Sequence, residues 1–202
     1  MKENKIHIAA MSVGAAVNFV LFAVKLYIGI SSNSLSVYLD AINNAGDILV
    51  CIIALISFIL IKKLGGRESA RAQSLCSFVV YIVITVTGCY FIYNGIERIM
   101  YPMPVSYTYK YAAAISATIP VKILLGLFYR KFNKKAPSPV LSALERDSFL
   151  DCFVTLFSLM SIILVPMVQF AADGIFAVIT GSIITVGAVK NVKKEILFLV
   201  RD

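Results

Sequence analysis

The sequence predicts an all-α polytopic membrane protein, with six transmembrane helices and both termini on the cytoplasmic side. Three observations predict it. Hydrophobic residues make up 59% of the 202, and the mean hydropathy of +0.87 lies far above that of a soluble globular chain. The apolar residues form six segments, at about 8–30, 35–61, 75–96, 110–129, 141–165 and 171–190. Each is near the roughly 20 residues needed to cross the hydrocarbon core. The charged residues, only 15% of the chain, gather between those segments.

The spans follow in order. Met1 to His7 is polar and basic, and the apolar run behind it holds Asn18 and Lys25 with no small-residue cleavage site. It is therefore a retained first helix and not a signal peptide. The second span opens with the polar stretch Leu35 to Asp47 and continues into the apolar run Ile48 to Ile61. Tyr101-Pro-Met-Pro-Val-Ser-Tyr107 separates the third span from the fourth, since its prolines interrupt any helix. Pro120 permits a kink in the fourth. The fifth ends around Pro166, and Ala171-Ala-Asp-Gly174 opens the sixth, with Asp173 placed to cap or flank that helix start.

Basic residues fix the orientation. Fifteen of them lie before the first span, between the second and third, between the fourth and fifth, and after the sixth. The opposite side carries only Arg98 and Lys110. By the positive-inside rule the rich side is cytoplasmic. The net charge of +8 accordingly serves topology and anionic lipid contact, and nucleic acid is not an expected partner. Cys51, Cys76, Cys89 and Cys152 all sit in apolar stretches without metal-ligand or paired spacing, so neither a disulfide framework nor a zinc cluster is expected. No nucleophile–base set, phosphate loop or histidine metal centre is visible, and the chain does not read as an enzyme.

The chemistry lies in polar residues placed where a span should be apolar. Asp40, Asn43, Asn44 and Asp47 fall inside the second segment, with Asn43 and Asp47 one helical turn apart on one face. The fifth repeats the pattern with Asp147 and Asp151. An ionised carboxylate at the centre of a bilayer costs roughly 2.5–3.5 kcal/mol, so two such pairs call for a use. Face to face they offer four oxygen-bearing side chains, which must hold protons, bind a cation, or do each in turn. Alternation between those states is the basis of metal–proton exchange. Asn and Asp oxygens are hard ligands that suit Mn²⁺, Mg²⁺ or Ca²⁺, whereas zinc sites draw on His or Cys, and the single histidine is His7. Mn²⁺ is the preferred metal, with Fe²⁺ and Zn²⁺ as alternatives.

The plainer reading of the same residues is a buried structural network in which Lys25 or Lys122 balances the carboxylates. Long basic side chains near span ends usually snorkel to the interface, and that is the expectation for both lysines. Asp40 shares the stripe but sits nearer the helix end, as a possible entrance or proton-pathway group or a cap. Asn44 points to a neighbouring face as packing glue. Glu97 and Arg98 are expected to pair with each other or to shape the exit.

The ordered set of features resembles the cation diffusion facilitator family over nearly the whole chain. The paired positions Asn43/Asp47 and Asp147/Asp151 fall on the second and fifth helices. Ser34-Leu35 stands ahead of Asp40-Ala41, Gly66-Arg67-Glu68 enters the third helix, Gly95-Ile-Glu-Arg-Ile-Met-Tyr-Pro102 leaves it, and Asp173 precedes the Gly181–Gly187 helix. The resemblance implies a secondary active transporter, a homodimer in the cell membrane, export of a divalent metal from the cytoplasm, and protons as counter-ion. It assigns Asn43, Asp47, Asp147 and Asp151 as the ligand set. An Asn or Asp at the first position of each pair is similar to the manganese-type members, where zinc-type members have His. The chain departs from the pattern by stopping at Asp202, and a single transmembrane domain over 1–202 without the usual cytoplasmic C-terminal domain is expected. No prosthetic group is expected. The rival class is a non-transporting membrane scaffold or subunit whose acidic pairs are structural.

Overall fold

The computed structural model describes residues 2–61, 66–137, 139–164 and 172–201. The described residues form six helices: α1 (Lys2–Ser32), α2 (Leu35–Ile61), α3 (Gly66–Met100), α4 (Tyr109–Lys135), α5 (Pro139–Leu164) and α6 (Ala172–Arg201). All six are long and apolar enough to cross a membrane. Hydropathy marked only the apolar part of each. α3 begins at Gly66, ahead of the apolar span that starts at Phe78, and α6 continues through Lys190, Lys193 and Lys194 to Arg201. α4 runs through Pro120 without a break. Lys62, Lys63, Pro166 and Ala171 lie outside the described residues.

The helices sort into a group of four and a pair. α1 packs on α2 and on α4, α4 on α5, and α2 on α5. α3 and α6 pack on each other and lie against α2, with α6 also touching α5. Glycine makes that pair close. Gly88 faces Gly181 and Gly95 faces Gly174, so that a Cβ at Gly181 would stand 2.8 Å from the Gly88 carbonyl oxygen. Without a hydrophobic drive between helices in lipid, such backbone contact is what holds them together. Large apolar side chains such as Phe19, Val20, Val86 and Leu124 face outward, as lipid contact requires.

The turn between α1 and α2 closes through its own backbone before other helices bond to it. Asn33 takes φ 55°, a left-handed conformation that Asn tolerates. The Asn33 N–H bonds the Ile30 carbonyl and the Ser34 N–H bonds that of Gly29, closing α1 with a Schellman motif. Ser34 Oγ then accepts from the Val37 N–H as the N-cap of α2. This turn aims α2 so that its polar stripe faces α5.

Two packed layers bound the interior. Met11, Cys51, Tyr129 and Leu141 fill the four-helix group beyond the polar stripe, toward the C-terminal end of α2. Leu39, Phe91 and Ala177, fully buried, seal α2 against α3 and α6 toward its N-terminal end.

Candidate metal site

Asn43 and Asp47 on α2 meet Asp147 and Asp151 on α5. Asp47, Asp147 and Asp151 each present a carboxylate oxygen within 4.8 Å of the other two. Asn43 joins them by donating from Nδ2 to Asp151 Oδ1 at 2.7 Å. Asp47 and Asp151 are buried and Asp147 is half-buried. All four residues border a cavity of about 190 Å³ between α2, α3, α5 and α6, whose wall otherwise is mostly apolar.

The cluster also holds a cation of its own. Lys122 on α4 reaches in behind the carboxylates and places Nζ 2.7 Å from Asp47 Oδ2 and 2.5 Å from Asp151 Oδ2. Both oxygens of Asp151 therefore have a donor: Asn43 on Oδ1 and Lys122 on Oδ2.

Lys25 behaves in the same way one layer away. Its ammonium donates to Asp40 Oδ1 at 2.9 Å and to Thr155 Oγ1 at 2.8 Å, with lysine and aspartate both fully enclosed. The expectation that these lysines snorkel is thus overturned. For Lys122 the reason is distance. Lys122 stands mid-helix, on the order of 15 Å from either interface, further than its side chain stretches. That position in the span was the signal available in the sequence.

Asp40 lies in this second pair and not among the four clustered residues, and its Oδ2 has no partner. Asn44 is fully buried and donates to the Asp40 carbonyl within α2 itself.

Asp173 does more than flank its own helix. Its carboxylate accepts from the Leu35 and Ser36 N–H groups and from the hydroxyls of Ser34, Ser36 and Ser161. It caps α2 and ties it to α5 and α6. A buried carboxylate suits a helix N-terminus, where backbone N–H groups and the macrodipole both favour negative charge. Arg98 does not pair with Glu97. It lies 3.8 Å from Asp173 and donates to the Asn33 carbonyl at 3.0 Å.

Comparisons with known proteins find similarity over most of the chain. Residues 11–200 match the family model of the cation efflux transmembrane domain. A relative from Bacillus subtilis (strain 168), the "Manganese efflux system protein MneS", is 23% identical over 176 residues. The match covers 85% of this chain and 61% of the relative, so the chain spans less than two thirds of that protein's length.

Proposed function

The chain belongs to the cation efflux family, and from that premise we propose that it is a secondary active transporter exporting a divalent metal, Mn²⁺ by preference, in exchange for protons. The observation that carries the proposal is the convergence of three carboxylates and a carboxamide, from two helices, beside a cavity that reaches them. Asn43, Asp47, Asp147 and Asp151 are the proposed ligands. All are hard oxygen donors, which favours Mn²⁺ over Zn²⁺. Carboxylates gathered this closely inside a membrane hold a proton or a metal in turn, which is how two ion gradients become coupled through one site.

The layer of Leu39, Phe91 and Ala177 and the Asp173 clamp close the N-terminal end of α2. With the basic loops cytoplasmic, the cavity serves the cytoplasmic face, and transport exchanges it for an opening on the far side. Asp40 stands between the site and the closed end. Its enclosure suits proton passage rather than an entrance. The homodimer implied by the family resemblance is part of the proposal.

Purified protein in liposomes should move Mn²⁺ and a counter-flow of protons, and Asp47→Ala or Asp151→Ala should abolish both. Undiminished transport in both variants would sink the site assignment, and a metal panel in the same assay ranks Fe²⁺ and Zn²⁺ against Mn²⁺. A second reading, a non-transporting membrane subunit, draws on the Lys122 bridge, which satisfies Asp47 and Asp151 without a metal. Calorimetric titration of the detergent-solubilised protein with Mn²⁺ separates the two, since the subunit gives no binding heat.

A further inference from the structure

We propose that Lys122 is a built-in competitor of the transported metal: its ammonium occupies the carboxylates when the site is empty and must leave them for a cation to bind. The inference rests on the proposed ligand set and deepens it.

The geometry makes shared occupancy untenable. Lys122 Nζ takes the Oδ2 atoms of Asp47 and Asp151, and Asn43 Nδ2 takes Oδ1 of Asp151. Each oxygen of Asp151 thus already accepts a hydrogen bond from the protein, which a metal would have to share or displace. A divalent ion at about 2.0–2.2 Å from those carboxylate oxygens would stand within about 5 Å of the ammonium, in an enclosed place with little water to screen the repulsion. Binding therefore requires Lys122 to withdraw, and the Asn43 amide to turn its oxygen inward. Withdrawal has a direction. The cavity lies on the side of α3 and α6, whereas Lys122 enters from α4, which contributes no residue to the cavity wall. Metal and lysine thus approach the same oxygens from opposite sides.

Two consequences follow for a carrier. The empty site keeps a fixed positive charge beside Asp47 and Asp151, so the carrier can change its facing without cargo at a smaller cost in buried charge. When the metal is bound, the displaced ammonium favours its release. Removing that charge should tighten binding and hinder the return of the empty carrier.

The test pairs calorimetry with two flux assays on liposomes holding wild-type protein, Lys122→Gln or Lys122→Arg. Lys122→Gln should bind Mn²⁺ at least about tenfold more tightly than wild type. It should keep Mn²⁺/Mn²⁺ exchange, with the metal on both sides, and lose most of its net efflux. Lys122→Arg, which retains the charge, should bind no more tightly than wild type. Retained exchange also certifies that the variant is folded. Equal or weaker Mn²⁺ binding in Lys122→Gln, or a parallel loss of exchange and net efflux, would overturn the proposal and make Lys122 a fixed structural counter-charge. Wild-type protein that binds no divalent metal would overturn the proposed function itself, a result distinct from an unchanged variant.

Discussion

Two buried lysines meet carboxylates in this membrane domain, and the settings differ. Lys25 faces Asp40 with Thr155 beside them, one positive and one negative group, fully buried and outside the wall of the cavity that borders the cluster. Lys122 faces three clustered carboxylates next to a cavity, so negative charge is in excess where an ion can arrive. A balanced, closed pair holds helices together. An unbalanced, accessible one is prepared for a further cation. The difference teaches that the ratio of charges and the access to them, not the mere presence of buried charge, marks the candidate site.

The comparison can be broken first at the balanced pair. Lys25→Met leaves Asp40 enclosed without its partner, and breaking a buried ion pair on one side costs about 3–5 kcal/mol. The expected result is a clear fall in the thermal midpoint of the detergent-solubilised protein, with most of it restored by adding Asp40→Leu. If the double variant is no better than the single one, the pair is not the balanced lock described above.

A smaller effect is expected at the Asp173 clamp. Asp173→Asn keeps the shape but loses the charge that serves two backbone N–H groups and three hydroxyls. Charge-assisted hydrogen bonds contribute about 1.5–3 kcal/mol, so the midpoint should drop by less than in Lys25→Met. A larger drop would make the clamp, and not the Lys25 pair, the main stay of this end.

The smallest expected change sharpens the metal side. Asn43→His or Asp147→His introduces an imidazole among hard oxygens and should shift the Mn²⁺/Zn²⁺ transport ratio toward Zn²⁺ by about tenfold, or about 1.4 kcal/mol. An unchanged ratio in both variants would show that ligand softness at these positions does not select the metal.

The six helices were legible because the bilayer leaves the backbone few alternatives, and span length and charge bias are local properties of the chain. The residues of the candidate cluster were legible as pairs for a related reason. Asn43 and Asp47, and Asp147 and Asp151, each share a face by spacing alone. What a side chain meets on another helix was not legible in this way. Lys122 and Lys25 were expected at the interface, yet their partners lie on α2 and α5, which only tertiary packing brings within reach. Asp173 was expected at the start of its own helix. Its bonds to Leu35 and Ser36 depend on how α6 meets the α1–α2 turn. Asn43 was expected as an oxygen donor to a metal, whereas in the structure its NH₂ faces Asp151.

The central claim is that Asn43, Asp47, Asp147 and Asp151 form one divalent-cation site. Anomalous diffraction at the manganese edge, on crystals of the protein grown with Mn²⁺, tests it most directly. The account predicts a peak among these four side chains, with Lys122 Nζ moved off Asp47 and Asp151. A peak elsewhere in the protein, with the four side chains and Lys122 still bonded to one another, would contradict it.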